Sequence, residues 1–156
     1  MNLPSPEFDL RAYLLGPGDP GPGTWSVDRD LLDRSLGTRG TFSGVVRFVS
    51  TADGGLSLRE EGTVRWPSFV GPAFREYLLR PAGRPDALDV FFPDGRPFHR
   101  MSFSAEANLD RHWCDPDTYR VTYIFGGGYS FGYHWDVTGP RKDLLLTSRL
   151  TRTKDA

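Results

Sequence analysis

The sequence predicts an all-β protein: an antiparallel up-and-down β-barrel of about eight to ten strands, preceded by a short N-terminal helix. The composition supports this prediction, because aromatic residues make up 13% of the chain and 18 residues are glycine, which favours strands and turns over helices. From Thr24 onward, strand-like runs follow one another with short turns and no helix between them, as in an antiparallel meander. A meander this long must protect its edge strands, and closure into a barrel does so.

The predicted elements follow the chain in a simple order. A helix over about Phe8 to Leu15 precedes the helix-hostile run GPGDPGPG at 16–23, which we interpret as an exposed loop. The predicted strands are 24–34, 40–50, 56–66, 72–80, 87–93, 97–103, 117–126, 129–138 and 142–152, separated by turn sequences such as PDGR and GGG. We therefore expect one β-barrel domain over 1–156, with residues 1–23 forming the helix and loop and residues 24–152 the barrel.

Charge and cysteine content narrow the classes of partner and compartment. Nineteen Lys and Arg residues oppose twenty Asp and Glu, so the net charge of -1 gives no electrostatic basis for binding nucleic acid or an anionic membrane. A single cysteine excludes an internal disulfide and fits a reducing compartment. No signal-peptide pattern is visible and no apolar run approaches a membrane span. We expect a cytoplasmic protein, with homo-oligomer formation left open.

Alternation along the strands places two charged residues toward the interior. In 56–66 the more apolar face carries Leu58, Glu60 and Val64, so Glu60 is predicted to point inward. On the next strand Arg75 shares a face with Tyr77, and if that face is interior the guanidinium can pair with Glu60. An unpaired buried charge is too costly to keep. The preferred interpretation is a structural ion pair, and the alternative is a polar anchor for a ligand.

His99 follows the turn PDGR and shares a face with Met101 and Phe103, which predicts that it also points inward. A lone histidine on an apolar face is more often a hydrogen-bonded core residue than a ligand or a base. Both interpretations are kept.

The segment RHWCDPDTY at 111–119 brings together His112, Cys114 and Asp117, and Cys114 is the only cysteine. If 111–114 is extended, His112 and Cys114 face the same way, as nucleophilic catalysis or metal binding requires. The sequence names no full set of four metal ligands, and Asp-Pro-Asp is typical turn chemistry. Structural packing is the preferred interpretation, and we assign no metal site.

Two resemblances extend this interpretation. Gly23-Thr24-Trp25 opens the first strand as the G-x-W signature does in the calycin superfamily of lipocalin-like barrels. The resemblance implies that Trp25 packs under the barrel against a basic side chain of the last strand, here Arg152, in a structural cation–π contact.

The sequence is also similar to an uncharacterised family of small, mainly bacterial domains. Three elements carry the similarity: FFPDGRPFH at 91–99, HWCDPDTY at 112–119 and WDVTGPRKD at 135–143. The resemblance brings no established activity. It implies one shared feature formed by His99, His112, Cys114, Asp117, Tyr119, Trp135 and Lys142. Lys142 is either solvated in its turn or points over an opening toward an acidic group of a ligand.

The preferred function is a binding module with an aromatic cavity for a small hydrophobic or aromatic molecule. The predicted apolar wall consists of Phe92, Met101, Tyr119, Tyr133 and Trp135. The predicted polar contacts are Glu60, Arg75, Tyr77, His99 and His112, and the candidate ligand-binding set also includes Cys114 and Lys142.

Two alternatives stay open. An enzyme on the same scaffold, such as an isomerase, cyclase or hydrolase of a specialised metabolite, would use His112 or His99 as general acid or base, with Glu60 or Asp117 orienting it. Glu60 is itself a catalytic candidate. Haem or metal binding through His99, His112 or His134 is the further alternative; otherwise no cofactor is predicted.

Overall fold

The computed structural model describes residues 3–153 and shows an all-β fold with one short helix, which confirms the predicted fold class. The elements are α1 (Leu10–Leu15), β1 (Gly23–Asp33), β2 (Thr38–Ser50), β3 (Leu56–Trp66), β4 (Phe69–Pro81), β5 (Ala87–Phe91), β6 (Pro97–Ser102), β7 (Leu109–Cys114), β8 (Asp117–Phe125), β9 (Ser130–Thr138) and β10 (Asp143–Arg152). β7 is the strand that the sequence did not predict outright. Four of its six residues, among them Trp113 and Cys114, are exposed beside half-buried neighbours, so it lacks the apolar face that alternation detects.

Each strand pairs with its neighbours along the chain except β6 with β7, and β1 also pairs with β10. The resulting ten-stranded antiparallel sheet runs from β6 through β1 and β10 to β7. β6 and β7 are thus the two ends of the sheet. They lie against each other and are joined by a hydrogen bond from the backbone N–H of Arg100 to the side chain of Asp110, but within residues 3–153 no ladder forms between them. The barrel is nearly closed, with a seam along β6 and β7.

The barrel wall is incomplete beside β4, because β4 has 13 residues and its partner β5 has only five. Their register extends from Leu78–Phe91 to Pro81–Leu88, so in the described chain residues 69–77 of β4 have a partner strand only on the β3 side. Phe69, Val70 and Phe74 on this stretch are exposed. The unpaired length of β4 creates a lateral opening next to Arg75 and Tyr77.

Helix α1 covers one end of the barrel. Its N-cap Asp9 accepts a hydrogen bond from the backbone N–H of Ala12, and Leu10 and Leu14 are fully buried. A helix of six residues has little stability alone, so packing of this apolar face holds it in place. Across residues 3–153, no helix is long and apolar enough to cross a membrane.

The helix and the sheet are joined through Trp25. Its indole Nε1 donates to the carbonyl oxygen of Leu14 at 3.0 Å. The guanidinium carbon of Arg152 lies 4.4 Å from the Trp25 ring centroid and 5.4 Å from that of Tyr13, and Arg152 also donates to the Tyr13 carbonyl oxygen. This is the stacking arrangement that the calycin resemblance implies.

The opposite end of the barrel carries the turns 34–37, 67–68, 92–96, 115–116 and 139–142, and we call this end the rim. The up-and-down order puts these alternate turns at the end away from α1. The three sequence elements at 91–99, 112–119 and 135–143 each contain or adjoin one of these turns. Their turns therefore lie at the rim, far from the Trp25–Arg152 contact.

Replacing Arg152 by methionine should lower the free energy of unfolding by about 2 kcal/mol, because the cation–π contact and a charged hydrogen bond are lost together. Urea unfolding measures the change. The matched control is Arg149→Met on the same strand, where an ion pair with Asp30 at 3.3 Å is exposed and the expected change is below about 0.5 kcal/mol. Equal effects of the two substitutions would contradict the role given to Arg152.

Candidate ligand site

A network of charged side chains lies at the centre of the barrel. Nη1 and Nη2 of Arg29 donate to Oε1 and Oε2 of Glu60 at 2.8 and 2.7 Å, and Nε donates to Oγ of Ser148 at 2.6 Å. Arg29 is 7% exposed and Glu60 only 3%. The buried position of Arg29 was not predicted from the sequence. Arg29 shares a face of β1 with Val27 and Leu31, and this alternation is the pattern that predicted the position of Glu60.

Arg75 is the second guanidinium of this network and stands directly across from Glu60 in the β3–β4 register. Its Nη2 donates to the Tyr133 hydroxyl at 3.0 Å. Its Nε is 3.0 Å from Oε1 of Glu60, but the N–H is not directed at the carboxylate, and this buried atom has no hydrogen-bond partner within residues 3–153. Glu60 and Arg75 therefore meet as alternation suggested, while Arg29 is the main hydrogen-bonding partner of Glu60.

The network holds Glu60 ionised. Burial alone would raise the pKa of the Glu60 carboxyl, but the hydrogen bond from Arg29 and the charges of Arg75 and Arg29 outweigh it, and the pKa lies below its usual range. Two guanidinium cations then face one carboxylate, which leaves one positive charge in excess. Arg75 carries that charge next to open space, because 31% of its side-chain surface is accessible, against 6% for Arg29.

His99 lies inside the barrel and is neutral. Its Nε2 is 2.7 Å from the Tyr123 hydroxyl, and its buried Nδ1 has no hydrogen-bond partner in the described part of the chain. Burial lowers the pKa of the imidazole to about 3, with smaller contributions from the charges of Arg75 and His112. His99 is thus a buried polar group that is only half satisfied.

A β-bulge brings Phe98 into the interior beside His99. Val90 pairs with His99 and Phe91 with Pro97, so Phe98 is the extra residue on β6. Strict alternation would put Phe98 outside, and the bulge redirects it. Its ring stacks on Trp135 at 5.1 Å with an interplanar angle of 5°, and on Phe92 at 4.5 Å with an angle of 21°. Phe98 could not be predicted from the sequence, because no alternation pattern reveals a bulge.

These groups surround a cavity of about 40 Å³ between the network and the stacked aromatic rings. The volume suits a few water molecules, so the barrel interior is mostly filled by side chains. Seven of the twelve predicted ligand-binding residues line it: Glu60, Arg75, Tyr77, His99, Met101, Tyr133 and Trp135. Phe98 and Tyr123, which were not predicted, line it as well.

The other five predicted residues, Phe92, His112, Cys114, Tyr119 and Lys142, do not line the cavity. They lie at or beside the rim, because their positions adjoin its turns. The His112 ring packs edge-on against Phe98 at 5.1 Å, and Cys114 is exposed, so this histidine and thiol do not form a buried pair. That these five residues contact a ligand stays a prediction.

Lys142 is held by groups of the protein itself. Its Nζ is 3.2 Å from the Tyr119 hydroxyl and 3.4 Å from Oδ2 of Asp117, and the hydroxyl bond raises its pKa. The side chain is still 47% accessible, and its role toward a ligand stays a prediction.

The arrangement of the side chains gives little support to the enzyme and metal-binding alternatives. Within residues 3–153, no group of three or more His, Cys, Asp or Glu side chains is arranged to hold a metal ion. No histidine in this range is hydrogen bonded to a carboxylate, and the partner of His99 is a tyrosine. An acid–base pair at the cavity, which the enzyme alternative requires, is thus not assembled here. Haem binding through a histidine stays a prediction.

Replacing Glu60 by glutamine should lower the free energy of unfolding by about 3–5 kcal/mol, because two buried guanidinium groups lose their counter-charge. Chemical denaturation measures the loss. The matched control is Glu61→Gln, the next residue on β3, whose ion pairs with Arg47 and Arg59 are exposed and should contribute less than about 1 kcal/mol. A Glu60→Gln protein as stable as the native chain would show that the network is dispensable.

Acid should destabilise the fold through His99. In the unfolded chain a histidine binds a proton below about pH 6.5, whereas folded His99 stays neutral down to about pH 3. Its contribution is therefore complete above pH 6.5 and is lost as the pH falls toward 3, about 2 kcal/mol of it between pH 6.5 and 5. Urea titrations measure the free energy of unfolding at these two pH values. Its decrease from pH 6.5 to 5 should be about 2 kcal/mol smaller in His99→Gln than in the native chain. An identical pH dependence in both proteins would contradict the assignment.

Comparisons with known proteins place this geometry in context. The chain matches over residues 22–152 the model of DUF6314, a family of unknown function. No curated protein matches it in sequence. The S-type phycobiliprotein lyase from Guillardia theta shares 10% identity at a TM-score of 0.58, covering 86% of this chain and 89% of that one. A de novo designed fluorescence-activating β-barrel shares 12% identity at a TM-score of 0.49, covering 92% and 99%.

The likeness to the lyase shows the fold alone, a barrel of the lipocalin-like type. The family match covers the whole barrel, from just before β1 to the last residue of β10. It includes the residues of the central network and all three sequence elements. The chain belongs to the DUF6314 family, whose function is unknown.

Proposed function

We propose that this protein binds a small hydrophobic or aromatic molecule inside its barrel. The observation that carries the proposal is the cavity between the central network and the aromatic stack, where Arg75 keeps 31% of its side-chain surface accessible. A site of this kind combines an apolar wall with a few directional polar groups, which is the usual composition of small-molecule pockets.

Unsatisfied polar atoms support a binding role over a purely structural one. Buried polar groups in folded proteins almost always have hydrogen-bond partners. Here Nε of Arg75 and Nδ1 of His99 are both buried without one in residues 3–153, and both side chains line the same cavity. A bound molecule that supplies acceptors would remove both deficits at once.

A ligand ring can be accommodated if the Phe98 ring moves away. The cavity of about 40 Å³ is too small for an aromatic molecule, but the Phe98 ring occupies a stacking position on Trp135. Phe98 is a bulged residue on β6, the strand at the seam, and it lies near the lateral opening through its contact with Tyr77 at 5.4 Å. In the proposed complex Phe98 swings out through this weak part of the wall, and the ligand ring takes its place.

The fold shared with a phycobiliprotein lyase is compatible with this proposal, which rests on the cavity itself.

The test is binding of a neutral aromatic dye, N-phenyl-1-naphthylamine, followed by its fluorescence. The native chain should bind it, and Phe98→Ala should bind it at least about fivefold more tightly, because the stacking position on Trp135 is already vacant. The matched control is Phe74→Ala, which removes an exposed ring on the outside of β4 and should leave the affinity unchanged.

Native mass spectrometry of freshly purified protein supplies a second measurement, with a co-purifying small molecule as the expected result. The proposal is wrong if neither the native chain nor Phe98→Ala, each shown to be folded by circular dichroism, binds the dye, and the measured mass is that of the bare chain.

A further inference from the structure

Some polar groups of the central network have hydrogen-bond partners and others do not. Arg29 uses Nε, Nη1 and Nη2, and each of them donates to an acceptor. Both oxygens of Glu60 already accept from Arg29. The single carboxylate of the network is therefore hydrogen bonded to one guanidinium at both oxygens, and it meets the second as an ion pair, with Nε of Arg75 3.0 Å from Oε1.

The groups without partners are donors on side chains that line the cavity. Arg75 donates from Nη2 only, and neither Nε nor Nη1 has an acceptor among the described residues. The Tyr133 hydroxyl oxygen accepts from both Arg29 and Arg75, so its own proton is free to donate. His99 in the tautomer that accepts from Tyr123 at Nε2 presents an N–H at Nδ1, again without an acceptor in residues 3–153. Arg75 and Tyr133 thus offer donors, which His99 joins in this tautomer, and the missing partner of these donors is an acceptor.

The charge of the missing partner follows from the same residues. Arg29 and Arg75 supply two positive charges against one negative charge from Glu60, and His99 is neutral. One negative charge balances the site, whereas a doubly charged group would leave it negative. A carboxylate carries one charge and two oxygens, and its planar shape matches the fork of a guanidinium.

We propose that the cavity binds the carboxylate of a small aromatic acid, with Arg75 as the principal contact and Tyr133 and His99 as additional donors. This inference rests on the proposed function and names its class of ligand. The aromatic body of the acid lies against Trp135, in the position that Phe98 holds, and the carboxylate points at the accessible edge of Arg75. The proposed ligands of this site are aromatic acids with one carboxylate.

The experiment compares two ligands of the same shape, 2-naphthoate and 2-naphthamide, by isothermal titration calorimetry with the full chain at pH 7.5. The native protein should bind the acid at least about tenfold more tightly than the amide, because only the acid supplies the missing charge. In Arg75→Met the acid should bind no better than the amide, because the charge that distinguishes the two ligands is gone. Arg29 and Glu60 still form a neutral pair in this variant.

The control variant is Arg80→Met on the same strand, where the side chain is exposed and its Nε is 3.6 Å from Asp53, outside the cavity. It should keep the full preference for the acid. Arg75→Lys is a second variant that retains the charge but not the fork, and it should lose part of the preference while binding N-phenyl-1-naphthylamine normally. Normal dye binding also shows that each variant is folded.

The inference is overturned if the native chain binds the acid and the amide equally, or if Arg75→Met retains the preference. Tighter binding of 2-naphthyl phosphate than of 2-naphthoate would equally reject it, because a dianion would then be the better match. If the neutral dye binds while the acid shows no advantage, only this inference fails. If none of the dye, the acid and the amide binds, the proposed function fails with it.

Discussion

A charged network in the middle of an apolar barrel is the constraint on which the rest of the structure depends. Burying Arg29 and Glu60 is tolerable because each side chain compensates the charge of the other, and removing Glu60 would leave the guanidinium groups of Arg29 and Arg75 without a counter-charge. The three residues come from β1, β3 and β4, so the network requires these strands to be paired in their observed register. The same network leaves an excess of donors on its cavity side, so a feature that stabilises the fold also defines what could bind.

The length and pairing of the strands vary around the barrel. β1, β2 and β3 have 11, 13 and 11 residues and pair along nearly their whole length, whereas β5, β6 and β7 are five or six residues long. The short strands leave the seam between β6 and β7 and the unpaired edge of β4. The bulge at Phe98 lies in this weaker region, and so does the side of the cavity formed by Tyr77 and Phe98. The fully paired strands and the open strand edges therefore lie on two different sides of one sheet.

The two ends of the barrel also differ. At the helix end, Trp25 is hydrogen bonded to α1 and stacks on Arg152, and Leu10 and Leu14 of α1 are fully buried. At the rim, the residues of the three sequence elements make mostly aromatic contacts, including those of His112 with Phe98 and Tyr119. These elements therefore shape the surroundings of the cavity, while the charged centre comes from strands outside them.

The sequence by itself determined the all-β meander, the turns and most residues that point inward, because side chains in a strand alternate with a period of two. That rule located Glu60, Arg75, His99 and Trp135, and applied to β1 it would have located Arg29. It could not identify the pairing of Glu60 mainly with Arg29, because β1 and β3 lie on either side of β2 and this contact crosses the barrel interior. It also misplaced Phe98, since a bulge inserts one residue and shifts the period. Only the tertiary structure decided that the interior is mostly filled, that the wall is open beside β4 and that Arg75 faces the cavity, because these properties depend on strand length and on packing across the barrel.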